Sequence, residues 1–463
     1  MKKIYILAIT LIHITTVTAQ DRFGQIQNLI PRNKEGINQF DVKKDSVKFK
    51  GLSVDLGAAF ALQFQGLKSF NDHNYTSDQY KLNNLENNFN LPNANMTIGA
   101  QLFDGVRVNL DIYLASRHHN ETWVKGGYLQ IDKLDFIKKN FLSDFMQYAT
   151  IKIGQMENNY GDAHFRRSDN GNALMNPFIG NNIMDAFITE MGAEIYYNRS
   201  SFVSMIGVTN SKMNQNVKEI VPAPTTPAAP DQNTTISPTI LAKIGYDKQL
   251  DADLRVRLTG SLYHTANSSG NLYSSDRAGS RFTGVMTHAA STFDPDNNPA
   301  TPPISIADNF DPASNHTTGS FNPGFGNWAT SYMINPFVKY KGLEFFATLE
   351  FASGGDKKGN DEKRTVNQYE ADLIYRFGSS ENFFIGGKYN TVNGKLNNSD
   401  SKKVSVNRFE GSAGWFMTKN ILAKVGYINQ TYKNYGQFNP NGTPNDFFGG
   451  KFNGVMFEAV ITF

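Results

Sequence analysis

The chain has 463 residues, with 45 Lys and Arg against 42 Asp and Glu, so its formal net charge at pH 7 is +3. This balance lacks the basic excess of nucleic-acid-binding proteins, and nucleic acid is not expected as a partner. A mean hydropathy of −0.43 and the lack of a long apolar run after residue 20 exclude a helical membrane protein. The absence of cysteine fits export through an oxidising compartment and excludes thiolate metal sites.

The first residues have the three parts of an export signal. Lys2 and Lys3 are followed by an apolar run from Ile4 to Ile14 and then by small residues up to Ala19. The run is shorter than the roughly 20 residues of a membrane-spanning helix, so we predict a signal peptide over residues 1–20 that is cleaved. Residues 21–50 are polar and are predicted to form an N-terminal extension, in the periplasm or in the lumen of a barrel.

Apolar side chains at every second position predict an all-β, transmembrane antiparallel β-barrel over residues 51–463. In the first predicted strand, Val54, Leu56 and Ala58 share one face and Asp55 the other, as expected with lipid outside and water inside. The count reaches about sixteen strands, an even number that suits a closed barrel. They are predicted at 53–65, 94–102, 106–117, 122–131, 149–156, 189–198, 202–209, 238–246, 254–264, 332–340, 343–351, 368–377, 383–391, 407–416, 421–429 and 455–463.

The connections between these strands alternate between long and short, which predicts long external loops and short periplasmic turns. Inward-running strands end on an aromatic residue, as expected at the inner membrane surface. The residues are Tyr197, Tyr246, Tyr340, Phe377, Trp415 and Phe463. One periplasmic connection differs, because Leu134, Ile137, Phe141, Leu142 and Phe145 recur at helical spacing. They predict a short amphipathic helix packed against the barrel rim.

A barrel of about sixteen strands encloses an aqueous channel. Residues 158–185, the third external connection, combine small residues with a high density of charge. We predict that this loop folds inward and narrows the pore; an ordinary solvated surface loop is the alternative. Its predicted constriction residues are Asp162, His164, Arg166, Arg167 and Asp169.

Charged residues on the inward face of the strands complete the candidate pore. The predicted pore-lining basic residues are Arg107, Arg117, Lys243, Arg255, Arg257, Arg376, Lys388, Arg408 and Lys424. The acidic residues predicted to face the same way are Asp111, Glu194, Glu344, Glu350, Glu370, Asp372, Glu410 and Glu458. The basic set would guide anions, whereas pairing between the two sets would make the wall rigid and the lumen wet.

The stretch IGQMENNYGDAHFRRSDNGN at residues 153–172, followed by NPF at 176–178, resembles the phosphate-selective porins, particularly those of Bacteroidetes. The resemblance implies a homotrimeric, sixteen-stranded channel in the cell outer membrane of a Gram-negative bacterium. Its partners would be outer-membrane lipid, small hydrophilic solutes and inorganic anions such as phosphate. Arg166 and Arg167 occupy the matching loop, and no cofactor is implied.

Two other functions are weighed against a porin. Asp162, His164 and Asp169 could activate water in a hydrolase at the external rim, but the sequence lacks a G-x-S-x-G motif, so we predict that the chain is not an enzyme. The external loops could instead serve an adhesin or receptor. The acidic run 294–299 resembles calcium-binding loops but has Pro299 where an EF-hand has glycine, so a plain turn is favoured. The proline-rich segment 221–235 is predicted to be extended.

Overall fold

The computed structural model describes residues 26–74, 81–90, 92–115, 123–212, 237–267, 272–273, 281–288, 292–293, 304–305, 317–326, 328–355, 363–395, 403–439 and 442–463. The predicted signal peptide, Arg117 and the segments 221–235 and 294–299 lie outside these residues. In the part of the chain that the structure describes, no helix is long and apolar enough to cross a membrane.

Sixteen long strands form a closed antiparallel barrel, as the sequence predicts. Each strand pairs with its neighbours in chain order, and the first closes against the last from Ala59 opposite Thr462 to Phe70 opposite Lys451. A two-residue strand, Asn88–Phe89, adds to the first. The sixteen are β1 (Ser53–Phe70), β2 (Asn93–Phe103), β3 (Val106–Ala115), β4 (Trp123–Ile131), β5 (Ala149–Glu157), β6 (Thr189–Arg199), β7 (Phe202–Thr209), β8 (Thr239–Gln249), β9 (Leu254–Thr265), β10 (Ala329–Tyr340), β11 (Leu343–Gly354), β12 (Arg364–Phe377), β13 (Phe383–Lys395), β14 (Val404–Thr418), β15 (Ile421–Lys433) and β16 (Lys451–Thr462).

The two faces of the wall have opposite chemistry. On β12, Leu373 and Tyr375 point outward and are exposed, whereas Glu370, Asp372 and Ile374 point inward and are buried. A closed ladder with an apolar exterior satisfies its backbone and can be covered by hydrocarbon. This is the architecture of an outer-membrane barrel.

Several strands extend beyond their predicted external ends. β11 continues from Phe351 to Gly354, and β12 begins at Arg364 rather than Gln368. On the outward face these extensions add Ser353, Thr365 and Asn367, so the apolar alternation used for prediction stops before the hydrogen-bonded ladder does. The ladder needs only backbone groups, and it continues above the apolar belt.

The predicted amphipathic helix is wrong in its extent. Only Ser143–Met146 is helical, one turn in all. Asn140 and Leu142 have positive φ values of 60° and 51°, which a right-handed helix does not allow. Of the residues predicted to pack against the barrel rim, Leu134 lies partly buried against Ile131, Met146 and Ala149. Ile137, Phe141, Leu142 and Phe145 are exposed, so most of the predicted apolar face does not pack there.

The N-terminal residues 26–50 lie against inward-facing side chains of the wall. Gln27 accepts a hydrogen bond from Gln101 Nε2 (3.0 Å), and Asn38 donates to Glu344 Oε2 (2.7 Å). Phe40 is buried beside Phe337 and Phe346. The segment therefore occupies part of the lumen at its periplasmic side.

A substitution at Leu373 tests whether the outward face of the barrel lies in the membrane. Leu373 is 52% exposed and lies on the outward face midway between Tyr369 and Phe377. We expect Leu373→Arg to lower the free energy of unfolding by about 2–4 kcal/mol, because it places a charge near the middle of the bilayer. Urea titration in phospholipid vesicles measures the change. Ser379→Arg, in the exposed turn after β12, is the control, and an equal loss in both variants would contradict the membrane assignment.

Candidate pore constriction

The third external connection, residues 158–188, turns into the barrel and reaches its far wall. Its backbone groups bond to wall side chains there: Ile179 N donates to Glu410 Oε1 (2.6 Å) and Met184 N to Gln368 Oε1 (2.9 Å). Lys424 Nζ donates to Asn176 O (2.9 Å). Because a buried peptide group needs a partner, these bonds hold the loop inside the lumen.

Arg166 is the most strongly held of the predicted constriction residues. Its guanidinium bonds to Glu344 Oε1 (2.6 Å) and Asp372 Oδ1 (3.2 Å). It also donates to Asn38 Oδ1 (2.6 Å), so one buried side chain joins the inserted loop, the wall and the N-terminal segment. Its charge is thus paired with two wall carboxylates.

Asp162 is buried on the opposite side of the loop. It accepts from Arg257 Nε (2.8 Å), Thr259 Oγ1 (2.7 Å) and Lys243 Nζ (3.2 Å). Arg257 also pairs with Asp41 of the N-terminal segment (2.6 Å). Two basic wall residues thus neutralise carboxylates of both inserted segments.

Arg167 and Asp169 line a space that the inserted loop leaves open inside the barrel. Arg167 forms a bidentate pair with Asp185, with Nε–Oδ1 at 2.9 Å and Nη2–Oδ2 at 2.6 Å. Its guanidinium carbon lies 4.4 Å from the ring centroid of Phe187. Asp169 bonds to Lys125 and to the Tyr113 hydroxyl.

His164 is not brought into a catalytic arrangement with the two aspartates. Its Nε2 bonds to Asn159 Oδ1 (2.9 Å), and its Nδ1 lies 3.6 Å from Glu157 Oε1. Asp162 and Asp169 are instead engaged with the basic and hydroxyl groups named above. Among the described residues, no cluster of three or more His, Asp or Glu is arranged to hold a metal ion.

The described basic wall residues face inward and contact inserted segments or neighbouring strands. Arg376 pairs with Glu344 (3.0 Å), Lys388 donates to Gly180 O (2.7 Å), and Arg408 donates to Gln430 (2.7 Å). The remaining partners are Gln130 for Arg107, Asp247 for Arg255, and Glu458 for Lys424. Acidic wall residues also contact the external connections. Glu194 accepts a hydrogen bond from Asn159 N (3.0 Å), and Glu350 accepts one from the Tyr273 hydroxyl (2.8 Å).

A cavity of about 330 Å³ remains between the inserted segments and the wall formed by β3 to β6. It is lined along β5 between Thr150 and Glu157, eight residues that span about 23 Å along the strand. Because barrel strands tilt by about 35–45°, this covers roughly 18 Å of an apolar band that is about 25 Å high. We name this space the side passage.

The side passage carries charges of both signs. Lys125, Lys152, Arg167, Asp111, Glu157 and Asp169 line it. The Lys152 ammonium lies 5.3 Å and 4.9 Å from the ring centroids of Tyr128 and Tyr196, and no described carboxylate lies within ion-pair distance of it. Asp111 accepts from Thr97 (2.8 Å) and Asn109 (2.7 Å) and likewise has no cationic partner among the described residues.

Sequence reasoning missed Lys125 and Lys152. Lys152 has the inward register of β5, so strand alternation alone could have found it. Lys125 lies at a register shift, where Asp111 pairs with Gly126 but Ile112 with Val124. A β-bulge of this kind cannot be placed by alternation, because it changes which side chains face inward.

Described parts of the longest external connection cover the mouth. Phe321 N donates to Ile183 O of the inserted loop (2.6 Å), and Arg281 pairs with Glu458 (2.5 Å). His288 bonds to Asp446 of the last external loop (2.8 Å). That hydrogen bond raises the pKa of His288 above its ordinary value.

No protein-family profile matches the sequence, and no curated protein matches it. Among solved structures, the chain is similar to an anion-selective porin from Comamonas acidovorans, at 10% identity over 89% of this chain and 100% of that one, with a TM-score of 0.48. It is also similar to OmpT, an outer membrane protein of Vibrio cholerae (10%, 90% and 99%, TM-score 0.47), and to OprB of Pseudomonas putida (11%, 89% and 94%, TM-score 0.47). At these values the similarities carry no argument about function, and the resemblance to phosphate-selective porins stays a prediction.

Arg166 tests how the loop is held. We expect Arg166→Met to destabilise the barrel by about 3–5 kcal/mol, because Asp372 would lose its cationic partner while remaining buried. Urea unfolding measures this loss, and limited proteolysis should then cut within residues 158–188. Lys133→Met is the control, since it removes only an exposed ion pair with Asp104 and should cost less than about 1 kcal/mol. Equal losses would contradict the anchoring role.

Proposed function

We propose that this chain is an outer-membrane porin through which small hydrophilic solutes and ions, including inorganic anions such as phosphate, diffuse passively. The observation that carries this proposal is the side passage, whose β5 side carries the polar residues Thr150, Lys152, Gln155 and Glu157. A sealed apolar exterior around such a space suits solute passage and leaves lipid undisturbed. We further propose that the protein assembles as a homotrimer and is not an enzyme.

The side passage would select solutes by its width and by the few charged side chains in its lining. The inserted loop and the N-terminal segment fill part of the lumen, and the side passage beside them has a volume of about 330 Å³. In such a space a single charged side chain acts on any ion that passes. Lys152 is the cation that favours anions here, and its position beside Tyr128 and Tyr196 keeps it in the lining.

Charge reversal at Lys152 tests this selectivity. We expect Lys152→Glu to raise the permeability ratio of potassium to chloride several-fold, because it replaces a lining cation that has no ionic partner among the described residues by an anion. The reversal potential in a planar bilayer under a potassium chloride gradient measures the ratio. Lys341→Glu, which changes an exposed periplasmic turn, should leave the ratio unchanged. If the folded protein conducts no ions, the proposed porin function is wrong.

Removal of the N-terminal segment tests whether it restricts the passage. We expect a chain lacking residues 26–46 to show a larger single-channel conductance, because Phe40 and Asp41 line the side passage and would be absent. The first strand begins at Ser53, so the barrel ladder is kept. Glu35→Gln, at an exposed position of the same segment, is the control. An unchanged conductance in the folded deletion variant would show that the segment does not limit flow.

A further inference from the structure

The connection between β4 and β5, residues 134–146, folds onto the lipid-facing side of the barrel. We name it the periplasmic elbow. Met146 is 3% exposed and packs against Ile131 and Ala149, with Leu134 partly buried beside them. Thr150 and Lys152 line the side passage, and alternate residues of a strand point to opposite faces. Ala149 and Ile151 therefore point outward, and the elbow covers the outer surface of the wall at its periplasmic end.

The side of the elbow that faces away from the wall is also apolar. Five large side chains within ten residues are exposed: Phe136 (49%), Ile137 (60%), Phe141 (39%), Leu142 (53%) and Phe145 (43%). Single exposed apolar residues are ordinary on protein surfaces, but a contiguous group of this size marks contact with a partner or a membrane.

This apolar group is continuous with the surface that faces lipid. The Phe145 ring stacks on Tyr197, with centroids 5.6 Å apart and planes at 22°. Tyr197 lies on the outward face of β6, where Ile195 is exposed. Phe145 therefore joins the elbow to the apolar belt.

Continuity with the lipid-facing belt, rather than charge, favours lipid as the contact. Lys138, Lys139 and Asp144 are exposed and Asp135 is half-buried, so the elbow carries two charges of each sign. Lysines beside exposed apolar side chains can contact phosphate headgroups at a membrane surface.

We propose that the periplasmic elbow inserts Phe136, Ile137 and Phe145 into the phospholipid leaflet facing the periplasm. Lys138 and Lys139 then contact anionic headgroups. The elbow fixes the depth of β4 to β6, the strands that form the side passage. This role is independent of what the barrel conducts.

The test uses the absence of cysteine from the chain, so that a single introduced thiol is labelled alone. The full-length variant Ile137→Cys carries an environment-sensitive fluorophore and is reconstituted in vesicles of phosphatidylethanolamine and phosphatidylglycerol. Ser379→Cys, in the exposed periplasmic turn after β12, is the matched control. Both positions are exposed, so neither label should disturb folding.

We expect lipids brominated near the upper acyl chain to quench the label at residue 137 several-fold more strongly than the label at 379. Equal quenching at the two positions would overturn the proposal. Weak quenching at 137 together with disulfide-linked dimers of the unlabelled Ile137→Cys variant would overturn it in favour of a second copy. Conductance, measured on the same samples, decides the porin function separately.

Discussion

Hydrocarbon offers the backbone no hydrogen-bond partner, and each peptide group at that depth must bond within the protein. The closed ladder of sixteen strands meets this requirement in the wall. The inserted loop meets it differently, since its irregular backbone cannot join a ladder. Ile179 N, Ile183 N and Met184 N bond to Glu410, Asn390 and Gln368 on the far wall. The polar inward face of the barrel is thus the condition for having a loop inside it.

The same reasoning explains why most charges of the lumen are paired. A buried charge without a partner is strongly unfavourable, and a pair gains enough only when its remaining donors and acceptors are satisfied. Glu458 of β16 contacts Lys424 (2.5 Å), Arg281 (2.5 Å) and Gln63 (2.8 Å). These contacts join β16 to its neighbours β15 and β1 and to the longest external connection. The lumen is therefore a packed polar core around a small passage rather than a wide aqueous channel. Lys152 and Asp111, which have no ionic partner among the described residues, line the side passage, where water can still reach them.

The strands were predictable because lipid and water act on alternate residues, a signal that every strand carries by itself. The partners of the inward residues were not predictable, because they depend on the path of loops far away in sequence. Arg166 lies in the loop expected to narrow the pore, yet it bonds to Glu344 and Asp372, and no local pattern indicates these contacts. Similarly, no local sequence pattern indicates that Phe40 lies in the lumen beside Phe337 and Phe346. In the elbow, helical spacing was a true sign of an apolar face, but the positive φ of Asn140 and Leu142 ended the helix.

The location of the side passage follows from where the inserted segments find anchors. The far wall, β10 to β15, supplies Glu344, Gln368, Asn390 and Glu410, and the loop is drawn against it. On the near side the β-bulge at Lys125 and the small Gly126 lining the passage leave space that no side chain of the described residues fills. The passage lies between a loop fixed by these anchors and the strands β3 to β6. Its width therefore does not depend on the movement of a segment. Its selectivity therefore depends on the few side chains that project into it, and the anchors that keep it narrow can be altered separately from them.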